Sequence, residues 1–158
     1  MILAGTVLAT LTAVFVPRWP QEEGRTFCYP VFGPVQRFHP DLSASQLART
    51  RAHEGAHAAQ CRRDGALRHF VRGLAPRQRL MDEAEAYCAE ANFVVANGGR
   101  AWLEYARAQD ELREKRSFRR FSSDALANAL ASRCPPLAAS AAREEAEWHA
   151  ARARRRAA

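Results

Sequence analysis

The chain carries 158 residues, enough for one domain with its own core and too few for two comfortable ones. Its 24 lysines and arginines against 17 acidic residues give a net charge of +7, which favours solubility and a general attraction to anionic surfaces. Lys115 is the only lysine, and no basic stripe is interleaved with aromatics, so a specific nucleic-acid platform is excluded.

Residues 1–16, MILAGTVLATLTAVFV, contain no charged side chain and are closed off by Pro17, Arg18 and Pro20. The run is short of the roughly 20 apolar residues that a spanning helix needs. It also lacks the basic leader and the small-x-small site of a signal peptide, while its β-branched residues suit a buried strand. Export or membrane anchoring, with membrane association through residues 1–16, is the first expectation. A buried segment of a cytoplasmic protein is the alternative. From Pro17 to Leu42, prolines and glycines with aromatics between them rule out a helix and predict short extended pieces at Arg25–Tyr29 and Val35–His39.

The first helix is expected from Ser43 or Ser45 to Arg63, ended by Asp64 and Gly65. A second covers about Arg79 to Ala96 and is stopped by Asn97, Gly98 and Gly99. A third runs from about Arg100 to Arg116, with Trp102, Leu103, Ala106 and Leu112 on its inner face. A short fourth, capped by Ser122 or Ser123, reaches Ala131, and Pro135 and Pro136 end that region. The tail is helical and frays at its arginine-rich end. The fold class expected is mainly α with a small extended or β portion, organised as an apolar segment (1–20), a central domain (21–134) and a C-terminal helix with a basic tail (135–158). Cys28, Cys61, Cys88 and Cys134 contain no C-x-x-C pair, which disfavours a zinc ribbon. They form two disulfides in one of three pairings if the chain is exported, or small buried thiols in a reducing cytosol.

The chemistry concentrates in His53-Glu54-Gly55-Ala56-His57. On a helix, positions i and i+4 differ by about 40° and 6 Å of rise, so both imidazoles project side by side. They can grip one ion at about 2.0–2.1 Å from each ring nitrogen. Glu54 lies about 100° round from His53, beside the ion rather than on it, where a carboxylate can take a proton from water.

Three routes lead to a further ligand. Gln60 and Arg63 stand at the added places of H-E-x-x-H-x-x-G-x-x-H, which excludes that motif. Cys61 lies about 12 Å up the helix axis from His53, too far to share its ion. Glu83 follows a loop, and Glu83, Ala86 and Tyr87 share one face of the second helix, where the small Ala86 permits a close approach. Glu85 points about 200° away from Glu83, so one acid faces the metal and the other faces solvent or an arginine. Glu83 is preferred; Glu85, His69 or no further protein ligand remain the alternatives.

The segments HEGAHAAQ and EAEAY resemble the zincin metallopeptidases, in the gluzincin arrangement of two histidines and a downstream glutamate. The likeness covers about residues 35 to 97, and small bacterial members share the glutamine three residues after the second histidine, here Gln60. It implies Zn2+ held by His53, His57 and Glu83, with Glu54 as the general base in hydrolysis of a peptide or protein substrate. It further implies that Gly33 to His39 forms an edge strand for the substrate backbone. Tyr87 stands where aspartate is common in this family, so the usual support of the histidines is altered; Glu85, Tyr87 and Gln60 are the candidates for outer support or alternative ligation. Tyr29, His39, His69, Tyr87 and several arginines are eligible to stabilise an oxyanion. The rivals are a non-catalytic zinc-stabilised helical binding module and a nucleic-acid-associated protein using the basic tail at Ala151–Arg156.

Overall fold

The computed structural model describes residues 23–157. Residues 1–16, on which the expectations of export and anchoring rest, lie outside the described residues. Among the described residues two strands, β1 (Gly24–Tyr29) and β2 (Gly33–Phe38), precede six helices: α1 (Ala44–Asp64), α2 (Ala66–Leu74), α3 (Pro76–Ala96), α4 (Ala101–Glu114), α5 (Ser123–Arg133) and α6 (Pro135–Ala157). A 3₁₀ turn, Arg116–Phe118, links α4 to α5. The protein is mainly α with a small β portion.

Local chemistry explains the boundaries. The hydroxyl of Ser43 accepts from the backbone N–H of Gln46, and the Gln46 side chain accepts from the backbone N–H of Ser43, a reciprocal cap that starts α1. Gly65, at φ 71°, turns the chain out of α1 with its N–H on the carbonyl of Cys61. Pro76 opens α3 ahead of the expected Arg79, because proline is pre-set for a first helical turn. Pro135 acts the same way and begins α6 rather than only ending α5. The arginine-rich end of α6 remains helical through Ala157.

The main core gathers Leu80, Ala84 and Tyr87 of α3, Ala108 and Leu112 of α4, Phe118, and Leu126 and Leu130 of α5. On α4 the expected inner face is corrected: Leu103 and Ala106 are exposed, and Ala101, Ala108 and Leu112 are the buried set. Those three fall within an arc of about 40°, whereas Leu103 sits about 200° round from Ala101. Helical angle outweighed side-chain size.

The two strands pair antiparallel, from Gly24 opposite Phe38 to Tyr29 opposite Gly33, and pack on α1. A methyl group on Gly24 would stand 2.5 Å from Cγ2 of Thr50 and 3.0 Å from Cγ of Glu54, so only glycine lets the hairpin lie this close to α1. Two disulfides fasten the layers: Cys28–Cys61 joins β1 to α1, and Cys88–Cys134 joins α3 to the residue between α5 and α6. With sequence separations of 33 and 46, each removes loop entropy from the unfolded chain worth about 4 kcal/mol. Reducing both is therefore expected to lower Tm by roughly 20 °C, read by scanning calorimetry with and without reductant. A shift of only a degree or two, with both bonds shown to be broken by thiol counting, would refute that weight.

Candidate metal site

Helix α1 lies across α3, and their shared face carries the ionisable cluster. Nε2 of His53 is 3.6 Å and Nε2 of His57 is 3.8 Å from the same carboxylate oxygen, Oε2 of Glu83. One ligand atom from each of these residues lies within 4.8 Å of the others, so the group can hold a metal ion. Two donors each about 2.0–2.1 Å from a tetrahedral ion are about 3.4 Å apart, so the three residues would have to draw together to close on one.

Each ring also has an oxygen close to its far side. Oε1 of Gln60 is 2.9 Å from Nδ1 of His57, while Nε2 of Gln60 donates to the carbonyl of Asp82 at 2.8 Å. Because the amide nitrogen is committed to Asp82, the amide oxygen faces the ring and Nδ1 of His57 is the donor. The other ring nitrogen, Nε2, faces Glu83. Gln60 is fully buried, so this arrangement is fixed by packing.

His53 is supported by a residue that the sequence reading did not single out. Oε2 of Glu90 lies 3.3 Å from Nδ1 of His53, in an approach too bent to count as a formed hydrogen bond. Glu90 is held in turn by Nε of Arg49 at 2.8 Å, and the same guanidinium reaches Oε2 of Glu104 at 2.9 Å. Glu90 thus faces His53 from one turn further along α3 than Tyr87. The signal was present, since Glu83, Tyr87 and Glu90 share one face at i, i+4 and i+7. Tyr87 fills the space between them, its ring edge-on to that of His53 at 4.6 Å.

The charges interlock. Burial of the His53 ring favours its neutral form, but Glu83 and Glu90 outweigh it and raise the pKa to about 9. Burial works to raise the Glu83 carboxyl, yet His53, His57 and Lys115 hold it well below the usual range. Glu90 is likewise lowered against its burial by His53 and Arg49. Burial, followed by the nearby acids Glu111, Glu83 and Glu90, pushes the Tyr87 phenol up, so it is a neutral partner at physiological pH. Lys115 was also missed: its ammonium bonds Oε2 of Glu83 and stands 5.1 Å above the Tyr87 ring.

The other candidates separate cleanly. Glu54 is buried outside the three-donor group, with its Oε2 accepting from the Thr26 hydroxyl of β1 at 2.7 Å. Glu85 pairs with Arg63 at 3.0 Å and lies outside the three-donor group. His69 lies outside the donor group, and His39 pairs with Asp41 at 3.7 Å. Cys61 is committed to its disulfide.

Replacing Glu90 by alanine is expected to weaken divalent-metal affinity by about 10- to 100-fold, measured by competition with a chromophoric chelator. Unchanged affinity in a folded variant would remove Glu90 from the support of His53. Comparison with protein-family models, with curated proteins and with solved structures gave no match.

Proposed function

We propose that the chain is a zinc-dependent metallopeptidase in which His53, His57 and Glu83 hold the ion and Glu54 is the general base. One observation carries the reading: both imidazoles meet an intrachain oxygen on their Nδ1 side and turn Nε2 toward a single carboxylate oxygen. Two imidazole nitrogens and one carboxylate form a donor set well suited to zinc. Bound there, zinc supplies Lewis-acid polarisation of a carbonyl and makes water more acidic.

The chain's own residues supply the rest. Glu54 sits one residue after His53 on rigid helix, and its carboxylate can accept a proton from the attacking water and deliver it to the leaving amine. The Thr26 hydroxyl on Oε2 fixes the direction of that carboxylate. Among the described residues the hairpin that provides Thr26 pairs with no third strand; the β2 edge, from Gly33, is the proposed rail for an extended peptide. Two disulfides favour an oxidising compartment, in line with export.

The test is metal analysis beside a casein-hydrolysis assay on the purified chain. One zinc per chain, with hydrolysis lost to a chelator and restored by stoichiometric zinc, is the expected result. Stoichiometric zinc without hydrolysis across a peptide library would favour the second reading, a zinc-stabilised binding module. That reading has its own support in Lys115, whose ammonium already neutralises Glu83.

A further inference from the structure

Helix α2 is built inside out. Leu67, Phe70, Val71 and Leu74 fall within an arc of about 100°, the spacing that ordinarily marks a buried face. Here they are 78, 63, 55 and 67% exposed, and no residue of α2 is buried. The inward side is the polar one: Arg72 bonds Asp64 at 3.1 Å and Asp82 at 3.4 Å, and fastens the helix to its neighbours.

A second exposed pair joins this stripe. Val31 and Phe32, in the turn between β1 and β2, are 83 and 65% exposed. The Cys28–Cys61 bond ties the turn end of β1 to the last turn of α1, from which α2 departs at Gly65. The turn and α2 therefore sit at the same end of α1. Among the described residues, the six most exposed large apolar side chains all belong to this one end. Scattered exposed leucines are ordinary, but a concentration of this kind marks an interaction surface.

The surroundings indicate the partner. Residues 62–79 hold six arginines and one acid, and Arg62, Arg68, Arg77 and Arg79 are exposed. A second copy of the chain would bring like charges together across such a face. An amphipathic helix with arginines beside a leucine and phenylalanine stripe instead matches an anionic bilayer, where apolar side chains enter the acyl boundary and guanidinium groups meet phosphates. We infer that α2 and the Val31–Phe32 turn form a docking face for an anionic lipid surface. This inference is independent of the metal site.

The experiment is co-sedimentation of the full chain with vesicles of phosphatidylcholine, alone or with phosphatidylglycerol. The doubly substituted Leu67→Glu, Phe70→Glu chain, with its fold checked by circular dichroism, is expected to partition at least about tenfold more weakly onto the anionic vesicles. Residues 1–16 could hold the chain on vesicles by themselves, so a local readout is added. Fluorescence gained by Phe70→Trp over the native tryptophan background should shift to the blue and be quenched by lipids brominated in their acyl chains. Three results overturn the inference: unquenched added fluorescence on vesicles that hold the chain, equal partition onto uncharged vesicles, or a dimer broken by the two glutamates without any vesicle binding.

Discussion

Replacing Glu54 by glutamine is expected to lower peptide turnover by roughly 10²- to 10⁴-fold while zinc stays stoichiometric. The two effects separate because Glu54 lies outside the three-donor group, so the metal loses no ligand. Glutamine has nearly the same shape, and its amide oxygen can still accept from the Thr26 hydroxyl that holds Oε2 of Glu54 at 2.7 Å. What it cannot do is take a proton. Steady-state kinetics with a fluorogenic peptide, beside metal analysis of the same sample, reads both quantities. Turnover equal to wild type would exclude Glu54 as the base, and loss of zinc would make it a ligand instead.

Local signals in the sequence made α1 legible. A reciprocal Ser43–Gln46 cap opens it and Gly65 closes it, and both are chemistry that a chain carries within a few residues. That Glu83 rather than Glu85 turns toward the two histidines was legible for the same reason, since helical angle separates them and Arg63 was available to pair with the second acid. Helix α2 is short, and although its apolar stripe has helical spacing, that stripe has no partner face within the described residues. The expected inner face of α4 spreads over about 180° of the helix, whereas the buried residues keep to about 40°. Ala101 and Ala108 are buried because they permit close helix contact. Thr26 and Lys115 lie 28 and 32 residues from the acids they touch, so only the tertiary fold brings them to the site. The pairing of four cysteines is undetermined by spacing and becomes fixed once β1 lies on α1 and α5 returns to α3.

Replacing Glu83 by alanine is expected to lower zinc affinity by at least about 100-fold, because the oxygen proposed to coordinate the ion is lost rather than an outer support. The same carboxylate also organises charge without metal, and pH distinguishes the two roles. In the metal-free wild type, the lowered carboxyl of Glu83 contributes stability that is present above the ordinary value of about 4.3 and lost as pH falls through its folded value. His53, raised to about 9, contributes stability that is complete below about 6.5 and lost as pH rises through about 9. Thermal melts in chelator should therefore peak between about pH 5 and 6.5 and decline toward pH 9. In the Glu83→Ala chain this profile should flatten, because His53 loses one of the two acids that raise it. Zinc binding has the opposite sign, since it requires neutral imidazoles, so stabilisation by added zinc should grow across the same window in which the ion pair fades. An ion pair alone predicts only the decline; a metal ligand predicts both. Glu83→Ala with undiminished zinc affinity, or a Glu85→Ala chain that loses zinc in its place, would overturn the assignment of the third ligand.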